Sequence, residues 1–496
     1  FGGFLTEAMD VPFYTGFASG SISLQNPQII WRYDDALDLE LAGDTLMIPM
    51  RLAIEEDGRA AHFRSEFATT ALATDENGLN VSFDLTDNDA SLEDLPVDIE
   101  VAEIQGSGHA GAGGLNIDYS ILGALFTDGM NEPINAYYQP LVLNGTGELS
   151  AEGISLDGRL RLSDQTAFIG DVSAIHWFSS NRGSAVLENG ALTFEAGGLQ
   201  LHHLSERLRG LAVNAEGALL PAAQFSWQDG VIESTGQVDV DELSFDTFRL
   251  GRLNGLSGTL NFTDLIGFRT AEAQRLTLDE FRFTPTLVLT DGVADVSLLG
   301  PDGFSLEHAE WPFVGGRILI EPTIWNFDEP SQMVIIEADE WDLHSLLGLF
   351  SLNDLDIAGR ASGRFPIEIV GANAYLRDAF LRSIEDGTLS YRGDVGESAS
   401  TANEYAGMAF DALRNFEYEV LGVSANGNLV GNIVLGLQMQ GHNPDVLDGQ
   451  LFKLNISIDS ELAELVHAGS MSASVQSTQD MITDLIREER ESQQND

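Results

Sequence analysis

Short runs of alternating apolar and polar residues occur from one end of the chain to the other. The clearest examples are residues 37–41, 79–85, 97–101 and 454–458. Successive side chains of a β-strand point to opposite faces, so this period of two predicts strands with one buried face. Residues 318–320 are apolar without alternation, which is typical of a strand covered on both faces. The pattern predicts a β-rich chain throughout.

Glycine-led fragments repeat loosely along the chain, and the 51 glycines favour short strands and tight turns over long helices. Their spacing is irregular, so each unit is interpreted as one rung of a stacked or meandering sheet rather than a strict repeat. No Pro/Ser/Gly-rich linker interrupts them. We therefore expect one continuous elongated body over residues 1–465, followed by a C-terminal strand or helix and a polar tail at 466–496.

Few segments have helical periodicity. Residues 341–350 and 403–416 place apolar side chains at helical spacing, and a third short helix is predicted around 481–486. We expect these helices to cover edges or ends of the sheet.

The stretch 427–444 shows most clearly the question that the pattern raises. Its apolar residues alternate with residues that carry side-chain amides, such as Asn428 and Gln438, which predicts a strand with one apolar face. That face contacts either another sheet or something that is not protein. Period-two patterning does not distinguish a closed core from an open apolar groove, because both require the same side chains.

Charge excludes several classes of partner. The 78 acidic and 24 basic residues give a net charge of −54. Such a surface repels phosphate backbones and anionic headgroups, so neither nucleic-acid binding nor docking through a basic membrane patch is expected. The acids are scattered, as in proteins adapted to salt. The absence of cysteine removes disulfides, thiolate metal sites and thiol catalysis.

The N-terminus FGGFLTEAMD has no basic segment followed by an apolar one, and no stretch approaches 18 apolar residues. Since Phe1 is not a natural start, we expect the chain to be a fragment or a processed product. A signal or membrane anchor is expected to precede it.

No motif carries catalytic or metal chemistry. GSGHAG at 106–111 fits G-x-G-x-x-G but lacks the following helix and second strand, so we interpret it as a glycine-rich crossing or turn. His202 and His203 are neighbours and, on a strand, would point to opposite faces. Acid pairs such as Glu55 with Glu56 and Asp34 with Asp35 are expected by chance. We predict no enzyme, no cofactor and no metal.

The second half of the chain resembles the YdbH family of AsmA- and TamB-like envelope proteins, sometimes labelled as a dicarboxylate-transport domain. The resemblance is best over about residues 250–465, and its most specific piece is Gly441, Asn443 and Pro444 followed by LNISID. Its fragments, in order, are LSGTLNFTDLIGFRT, AEWPFVGGRILIEP, LNDLDIAGRASGRFPIEIVG, EDGTLSYRGD, FDALRNFEYEVL and MQGHNPDVLDGQLFKLNISIDSEL.

This resemblance implies an all-β, elongated and curled antiparallel sheet, taco-like in section, with a few short helices. It implies a periplasmic bridge of a Gram-negative bacterium, anchored in the inner membrane by an N-terminal segment missing here. Phospholipids would pass along its apolar groove between the inner and outer membranes. A small outer-membrane lipoprotein would meet the C-terminal end, by strand addition.

The groove candidates are aliphatic residues on strands of the second half: Leu429, Ile433, Leu435, Leu437, Met439, Leu454, Ile456, Ile458, Ile318 and Ile320. The alternative hypothesis is a structural or interaction protein of the envelope, whose β core is closed and holds no lipid.

Overall fold

The computed structural model describes most of the chain up to residue 460. For 2–4, 52–54, 57–59, 92 and 456–460 it describes the backbone alone. The described residues are 2–4, 9–14, 18–33, 36–54, 57–92, 97–129, 136–164, 166–210, 212–228, 231–247, 251–282, 287–327, 329–349, 355–371, 373–392, 411–429, 433–446 and 449–460.

Strands dominate the described residues. They are β1 Gly2–Phe4, β2 Met9–Tyr14, β3 Ala18–Gln25, β4 Gln28–Tyr33, β5 Leu37–Gly43, β6 Thr45–Ile54, β7 Asp57–Asp75, β8 Gly78–Leu92, β9 Val97–Gly111, β10 Gly114–Asp128, β11 Leu141–Ser150, β12 Gly153–Leu162, β13 Phe168–Trp177, β14 Arg182–Glu188, β15 Leu192–Phe194, β16 Ala212–Gln228, β17 Val231–Thr247, β18 Gly251–Asp264, β19 Arg269–Thr270, β20 Gln274–Arg282, β21 Val288–Gly300, β22 Gly303–Phe313, β23 Gly316–Ile320, β24 Thr323–Asn326, β25 Ser331–Asp342, β26 Leu355–Ala358, β27 Arg360–Val370, β28 Asn373–Ser383, β29 Gly387–Tyr391, β30 Phe416–Asn428, β31 Ile433–His442 and β32 Phe452–Ser460.

Helix is scarce in this part of the chain. The α-helix α1 spans Leu343–Gly348, residues 411–412 are also α-helical, and 3₁₀ turns lie at Phe178–Ser180, Leu201–His203, Glu206–Leu208 and Leu413–Asn415. The helix predicted at 341–350 is confirmed as α1. Of the helix predicted at 403–416, residues 403–410 lie outside the described residues; residues 411–412 are helical, Leu413–Asn415 form a 3₁₀ turn, and β30 begins at Phe416. The helix predicted at 481–486 also lies outside them.

Neighbouring strands pair in antiparallel fashion within each of two compact units. Unit 1 comprises Phe1–Phe248 and Ser257–Thr270, and unit 2 comprises Arg249–Leu256 and Ala271–Asp496. The strands of unit 1 pair in long hairpins, such as β7 with β8 and β9 with β10. The predicted all-β antiparallel fold with few short helices is confirmed. The single body expected over residues 1–465 stays a prediction.

Aromatic rings on the sheet lie over glycines of neighbouring strands. Phe83 covers Gly106, and a β-carbon on that glycine would collide with the ring. Glycine has no side chain, which leaves room for the ring. The ring in turn forms part of the apolar surface of the sheet. The same arrangement joins Tyr119 to Gly147, Trp227 to Gly183, Trp311 to Gly292 and Tyr418 to Gly387.

This arrangement corrects the interpretation of GSGHAG. Residues 106–111 lie within β9 and form neither a crossing nor a turn. Gly106 accepts the ring of Phe83, and Gly108 packs against the backbone of Asn116 and Ile117 in β10. The glycines are therefore explained by close packing within a sheet.

The described residues of the stretch 427–444 belong to two strands instead of one. β30 ends at Asn428, and β31 begins at Ile433. The backbone N–H of Leu429 donates to the carbonyl of Ala374 at 2.8 Å, outside either strand. The prediction of one continuous strand is wrong, because β30 and β31 are separate strands that pair with each other in antiparallel fashion.

Asn443 ties the end of β31 to the segment before β30. Its side chain is 2% exposed, and its amide donates to the carbonyls of Asp411 and Ala412 at 3.2 and 3.0 Å. Its oxygen accepts from the backbone N–H of Asp445 at 2.8 Å. The G-x-NP element is therefore a structural clamp, since only an amide supplies both donors and an acceptor here.

Candidate functional site

The sheet of unit 1 has one apolar face, whose central part we call strip 1. Residues directly opposite each other in antiparallel strands share a face. Three rows of such residues cross ten strands, β7 to β14, β16 and β17, without a shift in register. They are Ala68, Leu85, Ile104, Ile121, Gly145, Gly158, Val172, Leu187, Ala223, Gly236; Thr70, Phe83, Gly106, Tyr119, Gly147, Leu156, Ala174, Ala185, Phe225, Ser234; and Leu72, Val81, Gly108, Ile117, Leu149, Ile154, His176, Gly183, Trp227, Ile232.

Strip 1 contains no Asp, Glu, Lys or Arg, although acids are frequent in the chain. The acids occupy the other face, where Asp118 lies opposite Glu148 and Asp157 opposite Ser173. The phenol of Tyr119, the one tyrosine of the strip, donates to the carbonyl of Ser155 at 2.6 Å, so its polar end is satisfied. The strip is therefore continuous and contains no acid, lysine or arginine, and apart from Thr70, Ser234 and His176 it consists of glycine, aliphatic and aromatic residues.

A matching row crosses eight strands of unit 2, from β22 to β32. It joins Trp311, Ile318, Ala338, Gly363, Leu381, Val423, Leu437 and Ile456. On the same face lie Ala309, Ile320, Ile336, Phe365, Ala379, Ala425, Leu435 and Ile458. We call these sixteen residues strip 2, which also contains no charged residue.

The strips are built mostly from one layer of sheet. The cluster around Val101, Ala124 and Leu143 continues strip 1 and draws all its members from the five consecutive strands β9 to β13. The cluster around Trp311 and Leu278 draws its members from β18 and β20 to β23. Within these two clusters, apolar side chains contact their neighbours along the sheet rather than a second layer.

At one place a second layer does cover the apolar face of unit 2. Leu343 of α1 and Leu413 pack onto Phe416, Tyr418 and Met439. The phenol of Tyr418 donates to the carbonyl of Ala358 at 2.7 Å. This cluster, which we call the capped core, is an ordinary closed hydrophobic core beside strip 2.

The predicted groove residues fall into three settings. Ile318, Ile320, Leu435 and Leu437 lie on strip 2, and Ile433 begins β31 on the same face. Met439 is 3% exposed within the capped core, and Leu454 packs against it. Leu429 lies outside the strands and is 37% exposed. The backbones of Ile456 and Ile458 pair with Leu437 and Leu435; their side chains are outside the described part.

Register brings together residues far apart in sequence. Ile318 and Leu437 lie on the same row, which sequence spacing did not predict. Leu319, between the two isoleucines, lies opposite Glu310 and Glu337 on the charged face, so the expectation of a strand covered on both sides is wrong. No residue of strip 1 was among the predicted groove residues. The alternation at residues 79–85 could have indicated it, because Val81, Phe83 and Leu85 belong to strip 1.

Two cavities of about 950 and 530 Å³ lie in unit 1, and both open mainly on the charged face. Asp84, Asp118, Glu148 and Asp157 line the larger cavity, together with hydroxyl side chains. Carboxylates and hydroxyls favour water over hydrocarbon. These cavities are therefore unsuited to apolar ligands, and strips 1 and 2 remain the apolar candidate surfaces.

The histidine pair occupies a turn and not a strand. His202 and His203 lie in the 3₁₀ turn Leu201–His203 with ring centroids 4.2 Å apart, so the premise of opposite strand faces is wrong. His203 accepts at Nδ1 from the backbone N–H of Gln200 at 3.1 Å. Across the described ranges, no group of three or more potential ligands is placed to hold a metal ion.

The fold and strips define a class: an antiparallel β-protein with an extended charge-free apolar face. A family model, described as YdbH-like and named for the intermembrane phospholipid transport protein YdbH, matches residues 70–479. The chain belongs to this YdbH-like family. The family is one of lipid transport rather than of enzymes, and transport between membranes indicates the cell envelope. No curated protein matches the chain. In the described residues, no helix is long and apolar enough to span a membrane.

Proposed function

We propose that strips 1 and 2 bind phospholipid acyl chains and conduct them between the inner and outer membranes. The observation that carries the proposal is the unbroken register of strip 1. Three apolar rows cross ten strands without one charged side chain. Membership of a phospholipid transport family supplies the ligand class.

The physical reason is the cost of exposing hydrocarbon to water. At about 0.8 kcal/mol per CH₂, a chain of about 16 carbons costs on the order of 13 kcal/mol to hydrate. An apolar strip removes most of this cost. Successive strands present similar aliphatic surface, so no position needs to bind an acyl chain much more tightly than its neighbours do. The acyl chain can therefore slide along the strip.

Headgroups would remain in water at the ends of the strands. Arg275 pairs with Asp295 on the charged face of unit 2, as do Arg317 with Asp339 and Arg364 with Glu321. These cations already have partners, and the surrounding acids repel anionic headgroups. The charged face therefore offers few sites at which a moving lipid would be held.

The wider arrangement is also part of this proposal. The protein would act in the periplasm of a Gram-negative bacterium, with an N-terminal anchor in the inner membrane. A small outer-membrane lipoprotein would add a strand at the C-terminal end. β32 is the last described strand, and it pairs with β31. If deletion of Val466 to Ser477 left the lipoprotein bound, strand addition in that segment would be wrong.

Photocrosslinking along the strips tests lipid binding directly. A photoreactive residue at Leu435 or Leu156 should capture phospholipid in cells, because both positions lie on apolar strips. Matched controls at Val434, which is 48% exposed on the opposite face, and at Asp157 should capture none. No capture at either strip position would overturn the proposal.

The capped core is the observation that favours the alternative, a structural envelope protein with a closed β core. There α1 covers the sheet as a protein layer does. Mass spectrometry of lipids extracted from the purified protein separates the two hypotheses. A fully closed core carries no phospholipid, whereas an open strip should carry it in near-stoichiometric amount.

A further inference from the structure

His176 is the one ionisable residue of strip 1 other than Tyr119, and it is held by Trp227. The indole Nε1–H of Trp227 donates to Nδ1 of His176 at 3.0 Å, across Gly183 on the intervening strand. The two rings are stacked with centroids 6.2 Å apart, and Phe178 meets the imidazole edge-on at 5.7 Å. A β-carbon on Gly183 would collide with the Trp227 ring. The pair is therefore a built feature of the strip.

The hydrogen bond fixes the imidazole tautomer. An indole nitrogen only donates, so Nδ1 of His176 must accept, and the neutral ring carries its proton on Nε2. Burial lowers the pKa of His176, which keeps the ring neutral near pH 7. The residues around it on this face are Ile154, Gly183, Trp227 and Phe178, none of which carries a charge.

Nε2–H therefore provides a hydrogen-bond donor on a surface that otherwise offers almost none. No acceptor within the described residues pairs with it, and the ring is only part-buried. His176 is the penultimate residue of β13, and Trp227 is the penultimate residue of β16. The donor thus lies where strands end, beside the path proposed for acyl chains and next to the water that headgroups would occupy.

We propose that Nε2 of His176 donates a hydrogen bond to an ester carbonyl of a bound diacyl phospholipid, with Trp227 as the positioning residue. The inference rests on the proposed function, because it requires acyl chains on strip 1. An ester carbonyl is the acceptor that joins acyl chains to glycerol, so it lies at the same boundary between hydrocarbon and water. The strip would then distinguish ester-linked from ether-linked lipids.

A competition between two matched lipids tests this. The purified full chain is equilibrated with vesicles containing equal amounts of dipalmitoyl phosphatidylcholine and its dihexadecyl ether analogue, which lacks both carbonyls. Bound lipid is then quantified by mass spectrometry. Since one neutral hydrogen bond is at stake, the wild type should favour the ester roughly two- to tenfold.

Substitutions identify the donor. His176→Phe should bring the ester-to-ether ratio close to one, because phenylalanine has no N–H to donate. Trp227→Phe should lower the ratio, because either imidazole nitrogen can then carry the proton, and a purely structural role for Trp227 would change both lipids equally. His176→Gln retains an N–H donor and should keep a ratio above that of His176→Phe. Circular dichroism verifies that each variant is folded.

The outcomes separate this inference from the proposed function. Binding of both lipids with a wild-type ratio near one overturns the ester contact and leaves the conduit intact. A His176→Phe ratio equal to that of wild type, or a His176→Gln ratio equal to that of His176→Phe, also overturns the contact. If neither lipid binds to the wild type, the conduit itself is wrong.

Discussion

The indole of Trp311 lies directly over the backbone of Gly292 on the neighbouring strand, with its nitrogen turned toward the glycine. Trp311 is 9% exposed, and its N–H has no hydrogen-bond partner in the described structure. The ring and the glycine together form part of the apolar face of unit 2. A side chain at position 292 would therefore displace the ring of Trp311.

Gly292→Ala should therefore destabilise unit 2. The added methyl group would collide with the indole and force the ring out of its packing, at a cost of about 1–3 kcal/mol. Urea unfolding followed by tryptophan fluorescence measures the loss. Gly422→Ala is the matched control, because its β-carbon would meet no atom closer than 4.0 Å. Equal stability of the two variants would contradict the packing described here.

Asn443→Ala should loosen the join between the segment before β30 and the end of β31. It removes three hydrogen bonds and leaves two backbone carbonyls and one N–H without their partner, at a cost of roughly 2 kcal/mol or more. Hydrogen exchange of the amides of residues 411–416 should accelerate. Asn443→Asp should be worse, since a carboxylate would face two carbonyl oxygens. Unchanged exchange in both variants would argue against the clamp.

Tyr418 should ionise late, with a consequence for stability at high pH. Burial, and then the charge of Glu385, raise the pKa of Tyr418 to about 12 from its ordinary 10.0. Because the folded-state pKa is raised, the neutral phenol contributes stability below pH 10 that is lost as the pH rises through about 12.

Ultraviolet titration of the phenolate measures this effect. Since burial also raises the pKa of Tyr138 to about 12, the difference between wild type and Tyr418→Phe isolates the Tyr418 contribution. A Tyr418 component that titrates near pH 10 in the folded protein would contradict the buried environment.

Leu435→Asp should block lipid binding on strip 2 while the sheet remains folded. The substitution places a carboxylate on strip 2, where an acyl chain in contact with it would have to strip its water. We expect the phospholipid captured by a photoreactive residue at Leu437, the neighbouring strip 2 position on β31, to fall by roughly tenfold or more, as measured by mass spectrometry. Val434→Asp adds the same charge to the opposite face and should leave binding unchanged. Equal loss in both variants would indicate a general effect of charge.

Several features were predictable from local pattern alone. The alternation at residues 79–85 predicts a strand with one apolar face, and β8 confirms it. α1 follows from the apolar spacing of residues 341–350 and is capped by the side chain of Asp342, which accepts from the N–H of Ser345. These elements depend on residues close in sequence, so the sequence pattern predicts them without knowledge of the fold.

Other features depended on contacts between distant residues. The residues near Phe83 in sequence do not predict that its ring lies over Gly106. Likewise, the residues near His176 do not predict its hydrogen bond with Trp227. Met439 and Leu435 are both apolar and have the same parity in one strand, yet the first is buried in the capped core and the second lies on strip 2. Sequence pattern assigned both to the groove because it records which face a side chain occupies and not what covers that face.

The sequence pattern by itself determined that this protein is a β-rich chain whose strands have one apolar side, because backbone alternation and turn residues act over a few positions. Tertiary structure decided which residues align in strips 1 and 2 and where the capped core closes the apolar face. It also decided the tautomer of His176, through the hydrogen bond from Trp227. Those outcomes follow from strand register, since a shift of one residue in pairing would move every side chain to the other face.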